Sequence, residues 1–185
     1  MDYFLDKFIR QLRINKVKKH IPRSSVVCDI GCGKDFYFLK KISNLIKLGI
    51  GFDEEVSDYR DEKYGLKKQK ISDKILLENE SCDIVTMTAV LEHLILPQEI
   101  LNESFRVLKN GGELILTTPT PISKPILNFL AFKLKLIDKK EIGDHKRYFN
   151  SRDIKIMLLK SGFREENIKS SFFEFFFNNF IVAKK

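Results

Sequence analysis

The chain has 185 residues, 43% hydrophobic and 31% charged, the balance of a globular protein with one core of useful size. No apolar run nears the roughly 18 uncharged residues of a spanning helix, no secretory leader reads at the start, and the odd count of three cysteines excludes a disulfide framework and fits a reducing cytoplasm. The net charge of +8 admits an anionic partner, but the lysines are scattered over the whole chain without arginine–aromatic interleaving, so they read as solvated faces.

Tyr3 to His20 spaces apolar residues at Phe4, Leu5, Phe8, Ile9, Leu12 and Val17 and predicts an amphipathic helix ended near Pro22. Val26 to Ile30 is a buried strand, followed by a turn at Gly31 and Gly33. The spacing predicts a helix over Phe36 to Ile46 and a strand over Leu48 to Phe52, closed by Asp53 and Glu54. Val56 to Gly65 reads as irregular, with a short third strand at Gln69 to Ile71. A strand at Ser81 to Thr86 leads to Met87 and Thr88. Gln98 to Lys109 is a helix that Asn110-Gly111-Gly112 is expected to cap, and Glu113 to Thr118 is the fifth strand. Prolines 119, 121 and 125 break up the next stretch, and Ile126 to Ile137 is apolar with embedded lysines. A helix over Ser151 to Ser161, with Ser151 as N-cap and Gly162 as its stop, precedes two strands at Ser170 to Phe177 and Phe180 to Ala183.

Strands alternating with helices predict an α/β fold: a doubly wound, mostly parallel seven-stranded Rossmann-like sheet with a C-terminal antiparallel hairpin. One domain over residues 1–185 is expected, with an N-terminal helix in residues 1–22 and a substrate lid in residues 119–148.

The first strand, its glycine turn and the next helix form the geometry that brings backbone close to a ligand. Asp53, 20 residues after Gly33, has the spacing of a ribose-binding carboxylate. A dinucleotide would need a third glycine where Phe36 stands, and Asp29 would repel its pyrophosphate. Asp29 instead suits a cofactor with a cationic amino-acid end. S-adenosylmethionine has a ribose, an ammonium group and a sulfonium, and no phosphate.

VVCDIGCGKDF, GIGFDEE, SCDIVTMTAVLEHL, RVLKNGGELILTTPTP and HKRYFN…IKIMLLKSGF together resemble a class I S-adenosylmethionine-dependent methyltransferase. The likeness is to small bacterial enzymes of the methyltransferase-11 or -23 type, and it runs in order from about Val26 to Phe163. The resemblance implies that Asp29, Gly31 and Gly33 line the methionine moiety, that Asp53 binds the ribose hydroxyls, and that Thr88 and Ala89 pass under the amino group. It places the adenine-edge contact at Ile71, where no acid stands, so Ser72 or Asp73 is expected to take it after a shift in register. Asp35 replaces the family's usual glycine.

Methyl transfer is a displacement at an activated carbon, helped by alignment and, for a hydroxyl or ammonium acceptor, by a base. His93 and His145 are the candidate catalytic residues, with Glu92 beside them; no metal-ligand set is assigned. The implied acceptor is a small molecule, sugar or lipid-linked compound, with peripheral membrane contact allowed by the basic, apolar lid segment. The alternatives are an RNA or protein methyltransferase, or a catalytically silent binding module of the same fold.

Overall fold

A computed structural model describes residues 4–134, 142–174 and 176–185. Lys135, Leu136 and Ile137 of the expected lid, Tyr3 of the first helix and Phe175 of the tail lie outside the described residues.

Helix α1 (Phe4–Lys18) precedes β1 (Ser25–Ile30), the short helix α2 (Tyr37–Lys41) and β2 (Ile46–Asp53). Two short strands, β3 (Tyr59–Arg60) and β4 (Tyr64–Lys68), follow, then β5 (Cys82–Thr88) and a single 3-10 turn at Leu91–His93. Helix α3 (Pro97–Val107) leads directly into β6 (Leu108–Pro119). Helix α4 (Ser123–Asn128) continues as a π-helical turn, Phe129–Lys133, and α5 (Ser151–Lys160) precedes the hairpin of β7 (Ile168–Phe173) and β8 (Asn178–Lys184).

The eight strands form one sheet in the order β3-β4-β2-β1-β5-β6-β8-β7. β4, β2, β1, β5 and β6 run parallel, while β3 and the β7–β8 pair are antiparallel to their neighbours. The expected doubly wound sheet and terminal hairpin are present, with one more strand than the seven expected, because β3 adds a two-residue edge. β8 sits inside the hairpin, against β6.

The central strands are buried on both faces, so their sequences are nearly continuous apolar runs. Cys28, Ile30, Val85, Leu114 and Leu116 face one cluster with Ile100, Leu101, Ile154 and Leu158 of α3 and α5. Val27, Ile84 and Ile115 face the other, with Ile14 and Val17 of α1 and Leu39 of α2. All three cysteines are free and buried. No helix among the described residues is long and apolar enough to cross a membrane.

Four expectations need correction. The third parallel strand is Tyr64–Lys68, not Gln69 to Ile71, and it begins in the last two residues of the stretch read as irregular. That edge buries only Leu66 well, so it carries no alternation to read. The helix expected over Phe36 to Ile46 is five residues long. Asn110-Gly111-Gly112 does not cap α3: Leu108 is already extended, and the glycines lie where the β5–β6 register shifts between Cys82 and Ile84. An added Cβ at Gly112 would lie 2.8 Å from the Asp83 carbonyl oxygen, so the close approach of backbones explains the glycine. Lastly, Asn150 rather than Ser151 caps α5, its side chain accepting the Asp153 N–H at 2.8 Å. Gly162 does stop that helix: with φ +107° it lets Phe163 N–H donate to the Leu158 carbonyl and Gly162 N–H to that of Leu159, a Schellman closure.

Candidate functional site

Chain order diverges between β1 and β5, since β2 and β4 lie on one side of β1 and β5, β6, β8 and β7 on the other. Ligands of such sheets bind in the crevice at the carboxyl ends of the strands, at this point. A cavity of about 800 Å³ opens there.

Its floor is built by the turn after β1. Gly31 and Cys32 N–H groups both donate to the Phe52 carbonyl, at 2.8 and 3.2 Å, which ties the turn to the end of β2. Gly31 has φ +73°, and an added Cβ would lie 2.4 Å from Val90 Cγ2, so the turn after β5 packs directly on it. Gly33 has φ +68°, and an added Cβ would meet nothing within 4 Å. The Gly33 N–H donates to Asp53 Oδ2 at 2.8 Å, and the Glu55 N–H donates to Oδ1 at 2.9 Å. Each carboxylate oxygen keeps a further lone pair, so Asp53 can still accept ribose hydroxyls.

Phe36 stands at the N-cap of α2 with φ 38° and ψ 44°, the left-handed conformation that a glycine would favour. Its ring packs edge-on against Tyr64, 5.3 Å between centroids. Phe36 therefore keeps the backbone shape of the missing glycine and turns its bulk toward β4. Asp35, its neighbour, lines the cavity.

Asp29 is 1% exposed. It accepts the Thr86 hydroxyl at 2.7 Å across the β1–β5 pair. Burial pushes its carboxyl up to about 7; the Thr86 bond opposes this and the Asp53 charge adds to it. A cation placed beside it would draw it back to the ionised form.

The opposite wall comes from the segments after β5 and before α5. Thr88, Ala89, Glu92, His93 and His145 line it. Ala89 is held in a left-handed conformation, φ 56°, with its N–H donating to the Thr117 carbonyl at 2.9 Å. Glu92 is buried and accepts the Thr118 hydroxyl at 2.9 Å, while its carbonyl accepts the Lys146 and Arg147 N–H groups. These bonds bring His145 beside His93, with ring centroids 4.8 Å apart. Burial lowers the basicity of His93, partly offset by a bond to the Asp144 backbone. Burial, then the neighbouring His93, pushes His145 down to about 4. His145 is therefore neutral near pH 7.

Asp29, Gly31, Gly33, Asp53, Thr88, Ala89, His93 and His145 thus line one cavity. Ser72 and Asp73 are not among its lining residues; on the loop after β4, the Ser72 hydroxyl donates to the Asp73 carboxylate. Sequence reasoning missed Arg10 and Arg13 of α1 and Glu174 and Asn178 of the β7–β8 turn, which also line it. The two arginines, three apart beside Ile9 and Ile14, are the only one of these with a signal: a basic edge along the apolar stripe of α1. Ile126, Leu127 and Leu130 from the expected lid segment are also part of the lining.

The Methyltransferase domain family matches residues 1–167. The chain belongs to this family. A tRNA U34 carboxymethyltransferase of Desulfotalea psychrophila is 29% identical over 114 residues, covering 56% of this chain and 36% of that protein. The mitochondrial ubiquinone biosynthesis O-methyltransferase of Candida albicans is 28% identical over 168 residues, covering 80% of this chain and 48% of its own. This member of the family therefore spans less than half the length of either relative. An S-adenosylmethionine-dependent methyltransferase of Archaeoglobus fulgidus shares the fold with a TM-score of 0.65 at 20% identity, over 95% of this chain and 94% of that one.

Proposed function

We propose that this chain binds S-adenosylmethionine across the ends of β1, β2 and β5 and directs methyl transfer to a small-molecule, sugar or lipid-linked acceptor. The observation that carries the reading is the pairing of Asp29 and Asp53 on either side of Gly31–Gly33, in one cavity at the point where chain order diverges. Bound there, the cofactor supplies a methyl carbon that an acceptor lone pair attacks as the C–S bond breaks and its pair stays on sulfur.

Asp29 holds the cationic amino-acid end and is ionised by it. Asp53 accepts the ribose hydroxyls while its backbone bonds keep it aimed. Gly33 leaves open space on the cavity side. Thr88 and Ala89 form the ledge under the amino group, and Ser72 or Asp73 reaches the adenine edge from the β4 loop. His93 and His145 face the acceptor, and α1 with residues 119–134 and 142–148 of the expected lid covers it. Arg10, Arg13 and the apolar Ile126, Leu127 and Leu130 suit an acceptor with both an apolar body and a polar or anionic group.

Calorimetry with S-adenosylhomocysteine tests this. Asp53→Ala is expected to weaken binding by about 2–3 kcal/mol, since charge-assisted hydrogen bonds are lost. Unchanged affinity would move the ribose elsewhere, and no binding of either S-adenosyl compound at millimolar concentration would remove the enzyme reading. The likeness to a tRNA carboxymethyltransferase and the net charge of +8 support a second reading, an RNA acceptor. Titration with tRNA at two salt concentrations separates the two, because phosphate contacts make affinity fall steeply with salt.

A further inference from the structure

Glu92, His93 and His145 each offer one ligand atom, and these three atoms lie within 4.8 Å of one another. Two come from the 3-10 turn after β5, and the third from the segment that the Glu92 carbonyl holds in place through Lys146 and Arg147. Each of the three side chains is also gripped by a group that is not itself a ligand. The Thr118 hydroxyl donates to Glu92 Oε2 at 2.9 Å. The Asp144 backbone bonds the His93 ring. The Tyr148 hydroxyl lies 3.0 Å from His145 Nδ1, which leaves Nε2 for another partner. Outer-shell bonds of this kind fix the tautomer and orientation of metal-binding imidazoles.

We propose that Glu92, His93 and His145 bind a divalent transition-metal ion at the acceptor end of the cavity. Two imidazoles and a carboxylate select zinc, cobalt, manganese or iron over magnesium or calcium, which prefer all-oxygen shells. Around a tetrahedral ion with bonds of about 2.1 Å, ligand atoms stand about 3.4 Å apart. The widest gap here, 4.8 Å, must close by about 1.4 Å when an ion binds. The positive charges of Arg13 and Lys146 next to His93 oppose a dication, and Asp144 and the Glu92 carboxylate offset them.

Three protein ligands leave a coordination position open toward the cavity. The further step rests on the proposed methyl transfer: an acceptor hydroxyl takes the open position, the ion lowers its pKa, and its proton passes to water. In this arrangement the two histidines act as ligands rather than as bases.

The test is titration of the chelator-stripped chain with Co²⁺ and Zn²⁺, by calorimetry and by the visible absorption of cobalt. One ion per chain is expected, with the visible bands of a nitrogen–oxygen site. His145→Ala and Glu92→Gln should each weaken binding at least tenfold, and Tyr148→Phe, which removes only the hydroxyl behind His145, about tenfold. Should Glu92→Gln fail to fold, His145→Ala, on a half-buried loop residue, decides. No saturable binding, cobalt–thiolate charge-transfer bands that mark the buried cysteines as ligands, or unchanged affinity in His145→Ala would overturn the proposal. S-adenosylhomocysteine binding is measured in the same metal-free preparations. Its loss with an intact cobalt site would remove the methyltransferase reading alone, and the reverse result would remove the metal site alone.

Discussion

Asp29 shows how one buried carboxyl links stability to ligand choice. Its folded pKa of about 7 lies above the ordinary 3.8 because burial disfavours the charge. A raised carboxyl pKa means that the folded chain binds the proton more tightly than the unfolded one. The stability it contributes is whole below about pH 4 and is lost as pH rises toward and through 7. Asp29→Asn cannot ionise and escapes that loss. Relative to wild type, the variant should gain roughly 2–3 kcal/mol between pH 5 and pH 8, read from urea midpoints at both pH values. A constant difference between the two proteins would show that Asp29 is not the titrating group. The same substitution should weaken cofactor binding, since the charge that the ammonium end stabilises is gone. The importance of Asp29 is legible in the sequence, because an acid at the end of the strand that enters a glycine turn is out of place beside phosphate. Its partner Thr86 is not: it is one polar residue in a buried run, and only the β1–β5 register sets it opposite Asp29.

The turn from β1 to α2 is the element on which the site depends, and its two glycines are constrained differently. Gly31 combines φ +73° with a Val90 methyl 2.4 Å from any added Cβ, whereas Gly33 combines φ +68° with open space. Gly31→Ala should cost about 2–4 kcal/mol of stability, from left-handed strain plus overpacking. Gly33→Ala should cost about 1 kcal/mol of stability, from strain alone, and should weaken S-adenosylhomocysteine binding. Adding Val90→Ala should return part of the loss in the first case and none in the second. Denaturation midpoints that fall equally in both variants would contradict this assignment. The strands flanking the turn are legible because burial on both faces makes continuous apolar runs. The helix after it is not legible at its true length. Ile42 and Ile46 continue the helical spacing of Phe38 and Leu39, yet they reach the same cluster from a turn and from the first residue of β2. Apolar spacing records which residues are buried, not which element carries them there. The β3–β4 edge fails for the converse reason: with Leu66 as its single well-buried residue, it leaves almost no spacing to read.

At the scale of the whole molecule, the cavity joins pieces far apart in the chain: α1, the ends of β1, β2 and β5, the segment before α5, and the β7–β8 turn. The parts contributed by the sheet ends are legible, because the distance from glycine turn to next strand tip is set by one βαβ passage. Arg10, Arg13, Glu174 and Asn178 are not, because they reach the site only through the docking of the first helix and last hairpin. A ligand that touches this many elements should stabilise the fold as a unit. A ligand bound only to the native state and present at 100 times its Kd adds about 2.7 kcal/mol. For a chain of this size that raises Tm by roughly 5–10 °C. S-adenosylhomocysteine should produce that shift, and NAD at the same concentration should produce none. A pyrophosphate would have to lie beside the Asp29 carboxylate, and Phe36 stands where a dinucleotide fingerprint has its third glycine. A comparable shift with NAD would mean that Asp29 and Phe36 do not choose the cofactor. A shift with S-adenosylhomocysteine that survives Asp53→Ala but vanishes in Asp29→Asn would place recognition at the amino-acid end rather than the ribose. The end of β1, rather than the tip of β2, would then be the part of the sheet edge that selects the ligand.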